Sequence, residues 1–91
     1  MKIRYNTKFE IGDTVYIAET YYGEYYVSEP LTVQSIHINV DKFEQCIEYS
    51  LRYKGQLFQH LFNINVLEKC CFADREKCRL WCAMQNKDLR I

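Results

Sequence analysis

The cleanest pattern in the chain runs from Gln45 to Tyr53, where Ile47, Tyr49, Leu51 and Tyr53 alternate with Cys46, Glu48, Ser50 and Arg52. Such a period of two predicts a strand with one face on the core and one in water. A second strand is expected from Leu31 to Val40, but its alternation slips. Leu31 and Val33 share one parity, whereas Ile36, Ile38 and Val40 share the other. A β-bulge at Gln34 and Ser35 restores the inward face and bends the strand strongly.

Phe9 to Tyr16, FEIGDTVY, delivers the chain into a first strand of about Thr14 to Glu19, with Val15 and Ile17 inward. Gly12 can take the positive φ of a tight entry turn, and Asp13 can hydrogen-bond nearby backbone. Thr20 to Pro30 reads as a long connection or splayed hairpin with Gly23 at its tip, Pro30 limiting ladder pairing. Lys54 and Gly55 predict a turn, and Gln56 to Phe62 a returning strand with Phe58 and Phe62 in phase. The stretch NINVLEKCCF predicts two short strand pieces around a turn. The last element is a helix over about 73–86, with Asp74 as N-cap and Glu76 near the positive end of the dipole. Cys78, Trp81, Cys82 and Gln85 share one side, with Leu80 and Met84 beside it, and that side is expected to plug one end of the barrel that such a bent strand implies or to dock on its flank.

A chain of 91 residues has room for a single core, so residues 9–91 are expected to form one domain behind a polar arm, Met1 to Lys8. Lys plus Arg and Asp plus Glu number 12 each, which removes any overall attraction to phosphate. The apolar runs are short and Met1 to Glu10 has no apolar h-region, so neither a membrane span nor an export signal is read, and a cytoplasmic location is expected. Charge is nonetheless segregated. Five acidic residues and no Lys or Arg lie between Phe9 and Glu29, while Lys69, Arg75, Lys77, Arg79, Lys87 and Arg90 outnumber Asp74, Glu76 and Asp88 at the other end.

Taken together, FxxGDxVY, a bent strand, a hairpin and FADREKC entering a helix resemble the small SH3-like barrel proteins of phages and mobile elements of Gram-positive bacteria. The residues that carry the resemblance are Phe9, Gly12, Asp13, Val15, Tyr16, Phe72, Asp74, Glu76 and Cys78. It implies a strongly bent, five-stranded barrel with one C-terminal helix. It also implies a non-enzymatic binding domain and, by analogy with phage members, an anti-CRISPR-like role against a host defence nuclease complex.

Candidate chemistry is sparse. Tyr21, Tyr22, Tyr25 and Tyr26, together with Glu24, form an acidic aromatic loop suited to a protein partner, since tyrosine gives large contact area at low entropic cost. Arg75, Arg79, Lys87 and Arg90 are the alternative, a nucleic-acid contact, against the blander reading of a solvated helix face. Cys70, Cys71, Cys78 and Cys82 could be drawn as a zinc site, but the spacing lacks a CxxC knuckle, and buried reduced thiols are expected instead. His37 and His60 have no partner at a recognisable catalytic spacing, and no nucleotide-binding or metalloprotease motif occurs. The expectation is therefore a binding protein without catalytic residues, cofactor or metal.

Overall fold

In a computed structural model of the chain, residues 6–53 and 63–89 are described. They form β1 (Thr14–Tyr21), β2 (Glu24–Val27), β3 (Leu31–Val40), β4 (Gln45–Tyr53), β5 (Ile64–Leu67), a 3₁₀ turn (Glu68–Cys70), β6 (Cys71–Phe72) and α1 (Arg75–Leu89). The expected turn at Lys54 and Gly55 and the strand from Gln56 to Phe62 lie outside the described residues, as do His60, Arg90 and the first five residues of the expected arm.

The strands pair in the order β2-β1-β3-β4-β5, all antiparallel, and β6 pairs with β1. The fold of the described residues is thus mainly β with one C-terminal helix. Among the described residues the ladder does not close into a continuous barrel. Its curl comes from two places. At the first, Val33 faces Leu51 and Ser35 faces Ser50, leaving Gln34 as the extra residue of a bulge where the parity slip predicts one. At the second, the 3₁₀ turn carries the chain from β5, beside β4, to β6, beside β1.

Phe9, Val15, Ile17, Leu31, Val33, Tyr49, Leu51 and Cys71 form the core, and Ile36, Ile47, Tyr53 and Val66 pack against it. Two details correct the period-two reading. Val40 is exposed, because the far end of the β3–β4 hairpin runs beyond the core. Ser50 is buried on the face expected to be wet, because β4 is a central strand and Ser50 sits between Ser35 of β3 and Asn65 of β5.

The entry turn forms as expected. Gly12 has φ 98°, the Asp13 N–H donates to the Glu10 carbonyl at 3.0 Å, and Asp13 Oδ2 accepts the Glu10 N–H at 2.9 Å. Gly12 and Val33 then tie this turn to β3, through Gly12 N–H to the Val33 carbonyl at 2.9 Å and Val33 N–H to the Asp13 carbonyl at 3.0 Å. Ser28 continues the β1 ladder where β2 ends before Pro30. Its N–H donates to the Ile17 carbonyl at 2.9 Å, and its buried hydroxyl accepts the Ile17 N–H at 3.0 Å.

Tyr49 ties the core to its surroundings. Its ring meets Phe9 edge to face at 5.5 Å, and its hydroxyl accepts the Phe9 N–H at 3.1 Å while donating to Glu68 Oε2 at 2.5 Å. Burial, then the Glu68 bond, pushes the Tyr49 phenol up to about 12. Burial likewise pushes the Cys71 and Cys78 thiols up to about 12.

These raised values set the sign of an alkaline effect. Free thiols ionise near 9.0 and tyrosine near 10.0, so above those values the unfolded chain holds fewer protons than the folded one. Stability is then expected to be intact below pH 9 and to fall progressively between pH 9 and 12. Urea titrations across that range check it; a midpoint constant to pH 12 would contradict the buried, neutral state of these groups.

Candidate partner-binding hairpin

Of the two readings of the Tyr-rich stretch, a long connection or a splayed hairpin, the structure shows the hairpin, and a tight one. Ala18 pairs with Val27, Glu19 with Tyr26, Thr20 with Tyr25 and Tyr21 with Glu24, which leaves Tyr22 and Gly23 as the two turn residues. Both have positive φ, 51° and 78°, the condition for the type I′ turn whose twist matches the strands. Glycine meets this freely, but a tyrosine in the left-handed region costs about 1–2 kcal/mol.

Register divides the side chains between two faces. Tyr25 turns toward α1 and meets Trp81 edge to face at 5.1 Å; Phe72 lies 6.2 Å from Trp81 on the same side. On the opposite face stand Glu19, Tyr21, Glu24 and Tyr26, since these residues pair with one another and alternate with Tyr25. Tyr21 is 64% exposed, Tyr22 89% and Tyr26 49%. The Tyr21 and Tyr22 rings touch edge to face at 4.4 Å with their planes 74° apart. Tyr26 donates its hydroxyl to Glu24 Oε2 at 2.9 Å, and Tyr53 of β4 donates to Glu19. Burial of Tyr53, reinforced by Glu19 and Glu29, pushes its phenol up to about 12.

Alpha1 holds this hairpin from behind. Asp74 caps the helix as expected, its Oδ1 accepting the Glu76 N–H at 2.8 Å, and Cys78 and Cys82 are buried under the sheet-facing side. Near the other end, the Asn86 amide pairs with the outer edge of β2 as a neighbouring strand would. The Tyr25 N–H donates to Asn86 Oδ1 at 2.7 Å, and Asn86 Nδ2 donates to the Tyr25 carbonyl at 2.9 Å. The pairing occupies an edge that would otherwise template another strand. Beside it, Ile17, Ala18, Tyr25, Val66, Lys69, Cys70, Phe72 and Trp81 line a mostly apolar groove of ≈ 370 Å³.

Of the expected contact residues, Tyr21, Tyr22, Glu24 and Tyr26 thus stand together, whereas Tyr25 is an anchor. Leu80 and Met84, expected beside the buried side of the helix, are exposed, and Trp81 lies at its border, 36% exposed. Arg75 and Arg79 are exposed in the first turns of α1, and Lys87 lies about 18 Å beyond Arg75 and about 12 Å beyond Arg79 along the axis at 1.5 Å per residue. Arg79 is engaged by Glu76, to which its Nε donates at 2.9 Å, and that pairing lowers the Glu76 carboxyl and raises the guanidinium.

The five cysteines carry free thiols. Cys71, Cys78 and Cys82 are buried as expected, but Cys70 is exposed because it ends the 3₁₀ turn, one residue before β6 turns Cys71 inward. Among the described residues no group of three or more His, Cys, Asp or Glu could hold a metal.

Two arrangements have no counterpart in the sequence reading. Ser35 Oγ lies 3.0 Å from His37 Nε2, and Glu48 faces His37 across the ladder, but His37 is exposed on an open strand surface. Phe43 is 88% exposed in the β3–β4 turn, which Asp41 Oδ1 holds by accepting the Phe43 and Glu44 N–H groups at 2.7 and 2.8 Å. Those bonds, Glu44 first, lower the Asp41 carboxyl. An Asp opening a four-residue break between two alternating runs was the available signal for this turn.

Compared with known protein families, curated proteins and solved structures, the chain has no match.

The Asn86 pairing predicts a separable stability effect. Asn86→Ala removes both bonds to Tyr25 and is expected to cost about 1–2 kcal/mol, seen as a lower urea midpoint with an unchanged m-value. An unchanged midpoint would show that the Asn86 pairing does not contribute to holding the hairpin.

Proposed function

We propose that this chain is a non-catalytic protein-binding module of the SH3-like type that contacts its partner through Tyr21, Tyr22, Glu24 and Tyr26. The observation that carries this reading is the presentation of three exposed tyrosines on one short hairpin whose reverse side is fastened to the helix. Tyrosines are efficient contact residues when they are already ordered, because little entropy is lost on binding. Tyr22 adds a second sign. A bulky residue keeps a backbone conformation that favours Gly or Asn, and such strain concentrates at functional positions.

The route from β5 through a 3₁₀ turn to β6 and back to β1 supports the SH3-like assignment. The similarity of the FxxGDxVY opening to phage-borne barrels makes a host defence nuclease complex the partner to test first.

The turn itself supplies a clean experiment. Asn tolerates positive φ better than Tyr, so Tyr22→Asn combined with Tyr21→Ala is expected to keep or raise the melting temperature while abolishing partner capture from the native host. Capture that survives this double substitution overturns the reading.

A further inference from the structure

From the hairpin's charge and ring geometry we infer that the partner element it receives is an arginine-bearing protein segment. The inference rests on the binding role proposed above and adds the chemistry of what is bound.

Its first support is charge. Residues 9–41 contain no Lys or Arg, and the hairpin face turned away from α1 carries Glu19 and Glu24 among its tyrosines. Glu29 follows two residues after β2 and acts electrostatically on the same Tyr53 hydroxyl that bonds Glu19. Such a surface attracts cations and repels nucleic-acid phosphate.

The second support is the arrangement of rings beside those carboxylates. Tyr21 and Tyr22 stand at 74° to each other with centroids 4.4 Å apart, so the pair forms a corner with π-surface open to solvent at 64% and 89% exposure. The Glu24 carboxylate is oriented on the same face by the Tyr26 hydroxyl. A planar cation that stacks on a ring and offers paired N–H donors to a carboxylate suits this combination. Guanidinium does both; an ammonium is a strongly hydrated point charge that does neither as well.

The experiment uses the full chain labelled with ¹⁵N and four 12-residue probes: an alternating Arg-Gly peptide, its Lys and citrulline counterparts, and a single-stranded oligonucleotide. The Arg peptide is expected to shift the amides of residues 19–26 and to bind about 2–5-fold more tightly than the Lys peptide, the scale of an exposed cation–π contact. Citrulline is expected to bind weakest, and Tyr22→Asn to remove the preference for Arg over Lys. Glu24→Gln should weaken both charged peptides.

Shifts from the oligonucleotide but not from the Arg peptide would overturn the inference in favour of base stacking. Equal Arg and Lys affinities would also overturn it, leaving only general attraction to positive charge. Partner capture that depends on Tyr21 and Tyr22, in a chain whose residues 19–26 ignore the Arg peptide at millimolar concentration, would overturn the arginine assignment and leave the binding role standing. Capture indifferent to both tyrosines removes the binding role and this inference with it.

Discussion

The hydroxyl of Tyr49 is the point at which separate stretches of this chain become one structure. Its ring is fully buried in β4, an interior strand of the sheet, and its oxygen accepts the Phe9 N–H while donating a hydrogen bond to Glu68. Glu68 also accepts the Lys8 N–H at 2.8 Å. The run that enters β1, the core of the sheet and the turn that leaves β5 are thereby joined through polar groups that would be costly to bury unpaired. With Glu68 fixed, the 3₁₀ turn sends β6 to β1, Asp74 starts the helix beside it, and α1 crosses the β1–β2 hairpin.

That sequence of dependence explains how a strained, highly exposed turn can persist. Tyr22 disfavours its own backbone conformation, and β2 is a four-residue edge strand. Alone, such a hairpin would be marginal in water. Here the Asn86 amide, the Tyr25–Trp81 contact and the Ser28 hydroxyl each add a connection that does not involve the exposed rings. The division of labour follows from parity: one face of the hairpin is used for attachment, and the other is left to tyrosines and carboxylates.

Much of this scaffold was legible in the sequence. The bounds of β3 and β4, the bulge between Val33 and Ser35, the Gly12 turn and the Asp74 cap all follow from local rules about parity, φ and capping. The hairpin was harder to read, because Tyr-Gly is an unusual pair for a type I′ turn, and the repeated tyrosines gave no polar alternation to mark the two strands. Asn86 was illegible for another reason. Its role depends on a partner 61 positions away, and nothing in local pattern distinguishes it from a solvated helix residue. The same holds for Glu68 beneath Tyr49, 19 positions away. The exposure of Phe43 is not legible locally, because nothing in the sequence shows that the β3–β4 hairpin extends past the core that would cover it.

The central claim is that the tyrosines stand on a hairpin made rigid by the helix behind it, and amide hydrogen exchange tests this most directly. The Tyr25 N–H, bonded to Asn86 rather than to a strand, is expected to exchange as slowly as the amides of β1. Exchange at the rate of an unstructured peptide would contradict the account.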